Sequence, residues 1–346
     1  MTFPEISEKD ILQVLDLTIK KDEDNKLIAF LCMLSAYTEN NPFNISFNAP
    51  SSSGKSYIPL EVSKLFPSED VIKLGNCSPT AFFHEQGEYD KEKNEILIDL
   101  SRKILIFTDM PNHGLLARLR PLLSHDEKEM ISKITDKQKK GGLRTKTVRL
   151  RGFPSVVFCT AKMNPDEQEA TRFLMLSPEV NEVKVKAGVT SKVVREIDLD
   201  KYTDLVESNS NRKALRERIW AIREANIQEI TLPHNTDLAA SFLKGKRLQP
   251  RLQRDIGRVI SIIKTFALLN LWQRERNGSG LIATKADVDA GLALWKRICP
   301  AQELNLPPYV YNTFMKVIRP RYVELNEAQN PRPFQSRSEG KKTRRT

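Results

Sequence analysis

Apolar residues recur at three- and four-residue intervals over residues 7–20 and again over 24–37. The first set is Ile11, Leu12, Val14, Leu15 and Ile19; the second is Leu27, Ile28, Phe30, Leu31, Met33 and Leu34. That spacing predicts two helices, a helical lead-in over 1–40. Apolar runs of strand length follow at 43–48, 71–74, 95–99, 103–108 and 153–159, with helix-like stretches between several of them. Alternating strands and helices predict an α/β fold, a parallel sheet flanked by helices, over 41–205. From about residue 210 the strand pattern fades and helical spacing takes over at 211–228, 235–245, 250–275 and 284–298. This predicts a C-terminal all-helical domain over 206–300 and a short helical segment over 301–328. Asn, Pro, Arg, Ser and Lys dominate 329–346, which reads as a disordered basic tail.

One junction in this pattern carries chemistry. The apolar run Phe43-Asn44-Ile45-Ser46-Phe47-Asn48 leads into Ala49-Pro50-Ser51-Ser52-Ser53-Gly54-Lys55-Ser56, and a helix-forming stretch, Tyr57 to Leu65, follows. Strand, small-residue loop, Gly-Lys-Ser and helix is the context of a phosphate-binding loop. Small residues at Pro50, Ser51, Ser52, Ser53 and Gly54 let backbone N–H groups converge on phosphate oxygens. Lys55 reaches the β- and γ-phosphates as a point charge, and the Ser56 hydroxyl is a ligand for Mg²⁺. The position usually held by the first glycine of this motif is Ala49.

A triphosphate site also needs a carboxylate on a neighbouring strand to hold the metal through water. Ile104-Leu105-Ile106-Phe107-Thr108-Asp109 supplies one, an apolar strand ending in Asp109. The competing structural role for Asp109 is the N-cap of the helix that follows. The next residue is Met110, so the sequence does not name a base to polarise the attacking water. Glu85 is a weak alternative that reads more simply as a solvated loop acid.

The charge balance adds a partner. Lys and Arg number 55 against 44 Asp and Glu in 346 residues, a formal net charge of +11, which favours a polyanion such as nucleic acid. Eight of those cations fall within 133–151: Lys133, Lys137, Lys139, Lys140, Arg144, Lys146, Arg149 and Arg151, with Asp136 as the local acid. Gly141-Gly142 near the middle and the alternating Thr145-Lys146-Thr147-Val148-Arg149-Leu150-Arg151 predict a hairpin. Lys137, Lys139, Lys140, Arg144 and Lys146 are its candidate contacts to a DNA backbone; a solvated charged loop is the plainer alternative. The dispersed Cys32, Cys77, Cys159 and Cys299 read as thiols of a reducing cytoplasm, and the four histidines show no metal-ligand spacing. No run is long and apolar enough for a membrane span, and the N-terminus has no signal-peptide pattern.

Residues 154–173 contain a strand ending in Thr160, a polar group placed to sense a γ-phosphate, and later Thr171-Arg172-Phe173. Phosphate loop, Asp-ended strand, helix, basic hairpin, polar-ended strand and Thr-Arg-Phe occur in that order over roughly residues 40–300. The order resembles the AAA+ ATPase core, and more narrowly the MCM-like helicases carried by bacterial mobile elements and prophages. The resemblance implies that Lys55 and Ser56 are the Walker A pair and Asp109 the Walker B aspartate. It makes Thr160 the sensor-1 residue and Arg172 an arginine finger acting on a neighbouring subunit. Arg254, or next Arg251, would be the sensor-2 arginine of a helical lid. It further implies ATP and Mg²⁺ as cofactors, a hexameric ring with hairpins lining a channel for single-stranded or forked DNA, and a primase or DNA-binding function on a separate polypeptide. Met110, where a glutamate is usual, and Thr160, where MCM proteins have asparagine, depart from the pattern. The alternative function is an AAA+ DNA-binding switch, a helicase loader or transposition regulator with slow turnover. A nucleotide-dependent protein scaffold is a third reading.

Overall fold

The computed structural model describes residues 2–75, 87–90, 92–93, 95–111, 113–136, 144–161 and 172–329. Met1–Tyr309 form one compact unit and Val310–Thr346 a second. The first unit is an α/β structure built on a five-stranded, all-parallel sheet. Its strands are β1 (Ile45–Asn48), β2 (Val71–Leu74), β5 (Ile104–Phe107), β8 (Ser155–Thr160) and β9 (Leu174–Leu176), in the order β2-β5-β8-β1-β9. These strands read as continuous apolar runs because both faces of the sheet are covered. Ile45, Phe47, Ile104, Ile106, Val157 and Cys159 point into one cluster, and Leu105, Phe107, Val156 and Phe158 into the other.

The first cluster is covered by α1 (Glu8–Leu15), α2 (Glu23–Ser35) and α3 (Tyr57–Ser63). Ten consecutive residues of α2, Lys26 to Ser35, are buried. Lys26 is tolerated there because its ammonium meets Asp16 Oδ1 at 2.5 Å and the Ile19 carbonyl at 3.2 Å. Helices from the C-terminal half contribute Leu215, Ile219, Val259, Ile262, Ile263, Leu294 and Trp295 to the same cluster. They lie on α7 (Ser210–Ala225), α9 (Leu252–Leu269) and α10 (Lys285–Glu303). The remaining helices of this half are α5 (Glu182–Ile197), α6 (Leu199–Ser208) and the short α8 (Leu238–Leu243). The helical C-terminal region thus shares its core with the sheet.

The second cluster lies under α4 (His113–Leu123), through Leu115, Leu116, Leu119, Leu122 and Leu123. Beside it stands a separate four-stranded sheet, β3-β4-β7-β6, made of β3 (Glu88–Asp90), β4 (Glu95–Asp99), β6 (Glu129–Asp136) and β7 (Arg144–Arg151). This corrects the sequence reading of 95–99 as a strand of the main sheet: β4 pairs in parallel with β7, from Glu95↔Thr147 to Asp99↔Arg151. β6 and β7 are antiparallel from Glu129↔Arg151 to Asp136↔Arg144. A small sheet of β10 (Ile230–Thr231), β11 (Arg276–Asn277) and β12 (Gly280–Ile282) completes the unit. In the second unit, helix Arg319–Gln329 is described, and Phe314, Val317, Ile318 and Tyr322 are exposed. Among the described residues no helix is long and apolar enough to cross a membrane.

Candidate functional site

The site is assembled where three strands end side by side. In the parallel register Asn48 of β1 lies opposite Thr160 of β8, and Phe107 of β5 lies opposite Phe158 two residues earlier. The loop after β1, the end of β8 and the residues after β5 therefore share one carboxyl edge, the usual ligand side of an open parallel sheet. Ala49 N donates to Thr160 O at 3.1 Å, tying the loop to β8 as it leaves the sheet. Ala49 has no positive φ, so alanine stands there without strain.

Beyond Ala49 the chain curls on itself. Ser52 has φ +64° and Gly54 φ +85°, both left-handed. The Ser53 hydroxyl donates to Pro50 O at 2.8 Å, and Lys55 Nζ reaches the same carbonyl at 3.4 Å. A Cβ on Gly54 would meet nothing within 4 Å, so glycine is demanded by the backbone and not by crowding. Among the described residues, no protein acceptor takes the N–H groups of Ser51, Ser52, Gly54, Lys55 or Ser56. Backbone donors of this kind in a small-residue loop, with one ammonium beside them, are groups that anionic oxygens can take up.

Asp109 stands at the same edge. Thr108 N extends the β5 ladder to Leu74 O at 2.9 Å, and Asp109 follows, exposed, with Oδ1 accepting from Met110 N at 2.7 Å. Helix α4 starts at His113, four residues later, so Asp109 is not its N-cap. The Ser56 hydroxyl donates to Thr108 O at 3.2 Å, which sets it beside the residue that precedes Asp109. Cys159 beneath them reports the proximity: its thiol lies 3.4 Å from Lys55 O. Burial pushes that thiol up to about 11, Ser56 and the Lys55 charge pull it down, and the Asp109 charge raises it. Lys55, Ser56, Asp109 and Thr160 are thus brought together. Met110 packs against the second hydrophobic cluster.

The predicted arginines lie elsewhere. Arg172 is half-buried with Nε donating to the Ser124 hydroxyl at 2.7 Å, just past α4. Arg251 pairs with Asp255 at 3.1 Å and donates to Asn305 Oδ1 at 2.8 Å, while Arg254 is exposed one turn away. None of the three lines the cavity of about 650 Å³ that opens beside the loop after β1.

That cavity was not foreseen from the sequence. Its walls are Ser52, Ser53 and Gly54 of the loop, Tyr57 and Ile58 of α3, Ile19 before α2, and one side of α5. Tyr57 donates to Thr18 O at 2.9 Å and Tyr202 to Leu17 O at 3.5 Å, which hold the N-terminal turn against it. Burial pushes the Tyr57 phenol up to about 12. The available signal was the valine spacing of 183–194, which has a helical face.

Of the predicted hairpin, both strands are described; Lys137, Lys139, Lys140 and the Gly141-Gly142 turn lie outside the described residues, as does Glu85. Arg144 pairs through its backbone with Asp136, and Lys146 opposite Ile134 is partly exposed. Two of the eight cations are neutralised from neighbouring strands. Arg149 pairs with Glu95 at 2.6 Å and Glu129 at 2.8 Å, and Arg151 with Asp99 at 2.6 Å. The local sequence shows Asp136 alone against the run; the sheet brings three more acids.

Fold and site together define an α/β protein whose loop after β1 stands at the carboxyl edge of a five-stranded parallel sheet. No protein-family model matches the chain, and no curated protein matches it.

Proposed function

We propose that the protein is a P-loop ATPase of the AAA+ type that acts on DNA, with a translocating or unwinding activity of the MCM-like kind as its most specific form. The observation that carries this is the convergence of Lys55, Ser56, Asp109 and Thr160 on one edge, around a loop in which the N–H groups of Ser51, Ser52, Gly54, Lys55 and Ser56 have no acceptor among the described residues. The donor set suits both groups. A triphosphate takes the free N–H groups and Lys55. Mg²⁺ takes hard oxygens, Ser56 Oγ and the exposed Asp109 carboxylate, with phosphate completing the shell. Among the described residues no cluster of three or more His, Cys, Asp or Glu could hold a metal alone, so the cation and the nucleotide would bind together. The cavity beside the loop is large enough for a nucleoside.

The test is DNA-stimulated ATP hydrolysis, followed by strand displacement on a forked duplex. Asp109→Asn is expected to leave nucleotide binding largely intact and to stop Mg²⁺-dependent turnover. Turnover at the wild-type rate with a lowered melting temperature would mean that Asp109 serves the fold alone.

The hairpin supplies the DNA contact in this reading. Reversing Lys139 and Lys140 to Glu is expected to weaken binding of any DNA sequence alike and to make its salt dependence shallower, with DNA-free ATPase near normal. Deleting 329–346 in parallel at the same salt separates the basic tail; if only that deletion removes binding, the hairpin is a solvated loop.

Met110 supports the alternative of a slowly hydrolysing DNA-binding switch. An apolar side chain, here partly buried against the second cluster, cannot polarise water. ATP-dependent assembly on DNA without strand displacement would select that form.

A further inference from the structure

Helix α5 closes one side of the cavity, yet none of its residues is buried. Val183, Val185, Val189, Val193 and Val194 are each more than half exposed. Apolar packing therefore does not fix this wall. Its first turn is fixed by polar ties: Asn181 caps it through Lys184 N at 2.8 Å, and the Lys184 ammonium reaches inward. There it makes an ion pair with Asp22 Oδ2 and donates to Ser53 O of the phosphate loop at 3.4 Å.

Asp22 is built to receive it. Its side chain is fully buried, and the residue adopts φ +60°, in the left-handed region. Oδ1 accepts from Asn25 Nδ2 at 2.9 Å and from Glu179 N at 2.6 Å. Asn25 also donates to Ser177 O at 2.8 Å, and the Ser177 hydroxyl donates to Asn48 O at 2.7 Å, at the root of the loop. A buried carboxylate held this way needs a cation, and Lys184 provides it. The turn before α2, the phosphate loop and α5 meet at a single ammonium.

We propose that Lys184 is a positioning residue of the nucleotide site: it clamps α5 to the phosphate loop and the Asp22 turn, and thereby shapes the pocket that takes the nucleoside. This rests on the nucleotide reading above. The clamp acts on the nucleoside side of the site, whereas Lys55 acts on the phosphates. Nucleoside-bearing ligands therefore feel its loss more than a bare polyphosphate does.

The test uses the full chain and calorimetric titration with Mg²⁺ in excess, with ATP, ADP and inorganic tripolyphosphate as probes. Lys184→Met alone strands the buried Asp22 charge, so the informative variant is Asp22→Asn with Lys184→Met, which removes both charges. ATP and ADP affinity is expected to fall about tenfold, the loss of one charge-assisted tie, with tripolyphosphate changed by less than about threefold. Lys184→Arg keeps a cation at the junction and is expected to recover ATP affinity. The clamp is overturned if the double variant binds ATP like wild type, if tripolyphosphate falls as far as ATP, or if arginine recovers nothing. A wild-type protein that binds neither ATP nor tripolyphosphate overturns the nucleotide reading and the clamp with it.

Discussion

Lys55→Ala is expected to abolish ATP hydrolysis and to raise the dissociation constant for ATP by about 10- to 100-fold, the worth of one hydrogen bond to a charged group. The ammonium already lies over the loop, 3.4 Å from Pro50 O, and no carboxylate among the described residues pairs with it. Its removal strands no buried acid, so the melting temperature is expected to stay near wild type. That combination separates a ligand-facing lysine from a structural one. Wild-type turnover in this variant would end the ATPase proposal, and a large drop in melting temperature would recast Lys55 as part of the fold.

Arg172→Ala is expected to cut hydrolysis by about 10³–10⁵, the range for an arginine finger, with nucleotide binding unharmed. Within one chain the guanidinium is engaged with Ser124, at 2.7 Å. Ser124→Ala removes the same intrachain bond and leaves the guanidinium in place, so it controls for local structure. It is expected to keep activity within a few-fold, since a single neutral partner is worth about 1 kcal/mol. Mixing supplies the decisive arm. Arg172→Ala subunits combined with Lys55→Ala subunits are expected to regain activity, because some interfaces then join an intact Lys55 to an intact Arg172. No regain in a protein that does assemble would place Arg172 outside the reaction, and a strictly monomeric active protein would remove the finger altogether.

The local parts of this structure were legible in the sequence. The main-sheet strands near 45, 104 and 155 could be read because their residues are buried on both faces of the sheet, and the edge strand near 71 because it carries three apolar residues in four. The loop after β1 and the position of Asp109 past β5 were legible because each is written within a few consecutive residues. Partner choice was not. The pattern Glu-Ile-Leu-Ile-Asp announces a strand, but the ladder it makes with the distant β7, with Arg149 and Arg151 also pairing with Glu95 and Asp99, assigns it to the second sheet. Helix α5 went unmarked because valine is a modest helix former and its face is not buried. The Asp22–Lys184 junction joins residues whose nearness is made only by the fold, so neither looks unusual along the chain.

Gly152 has mechanical meaning. It has φ +91°, and a Cβ there would come within 2.6 Å of Ser101 Cα. It lies in the short connection between Arg151, which ends β7, and Ser155, which begins β8. Its N–H is held by Lys128 O at 2.8 Å, and Leu100 N holds Arg151 O at 2.7 Å. Two backbone hydrogen bonds and the lack of room for a Cβ fix the path of the chain here. Strands β8 and β7 leave this one connection, with Thr160 at the far end of the first and Arg144 at the far end of the second. At roughly 3.4 Å per residue the eight-residue arm β7 is about 27 Å long. By geometry alone, a tilt of a few degrees at Gly152 would displace Arg144, at the far end of that arm, by about an ångström or more.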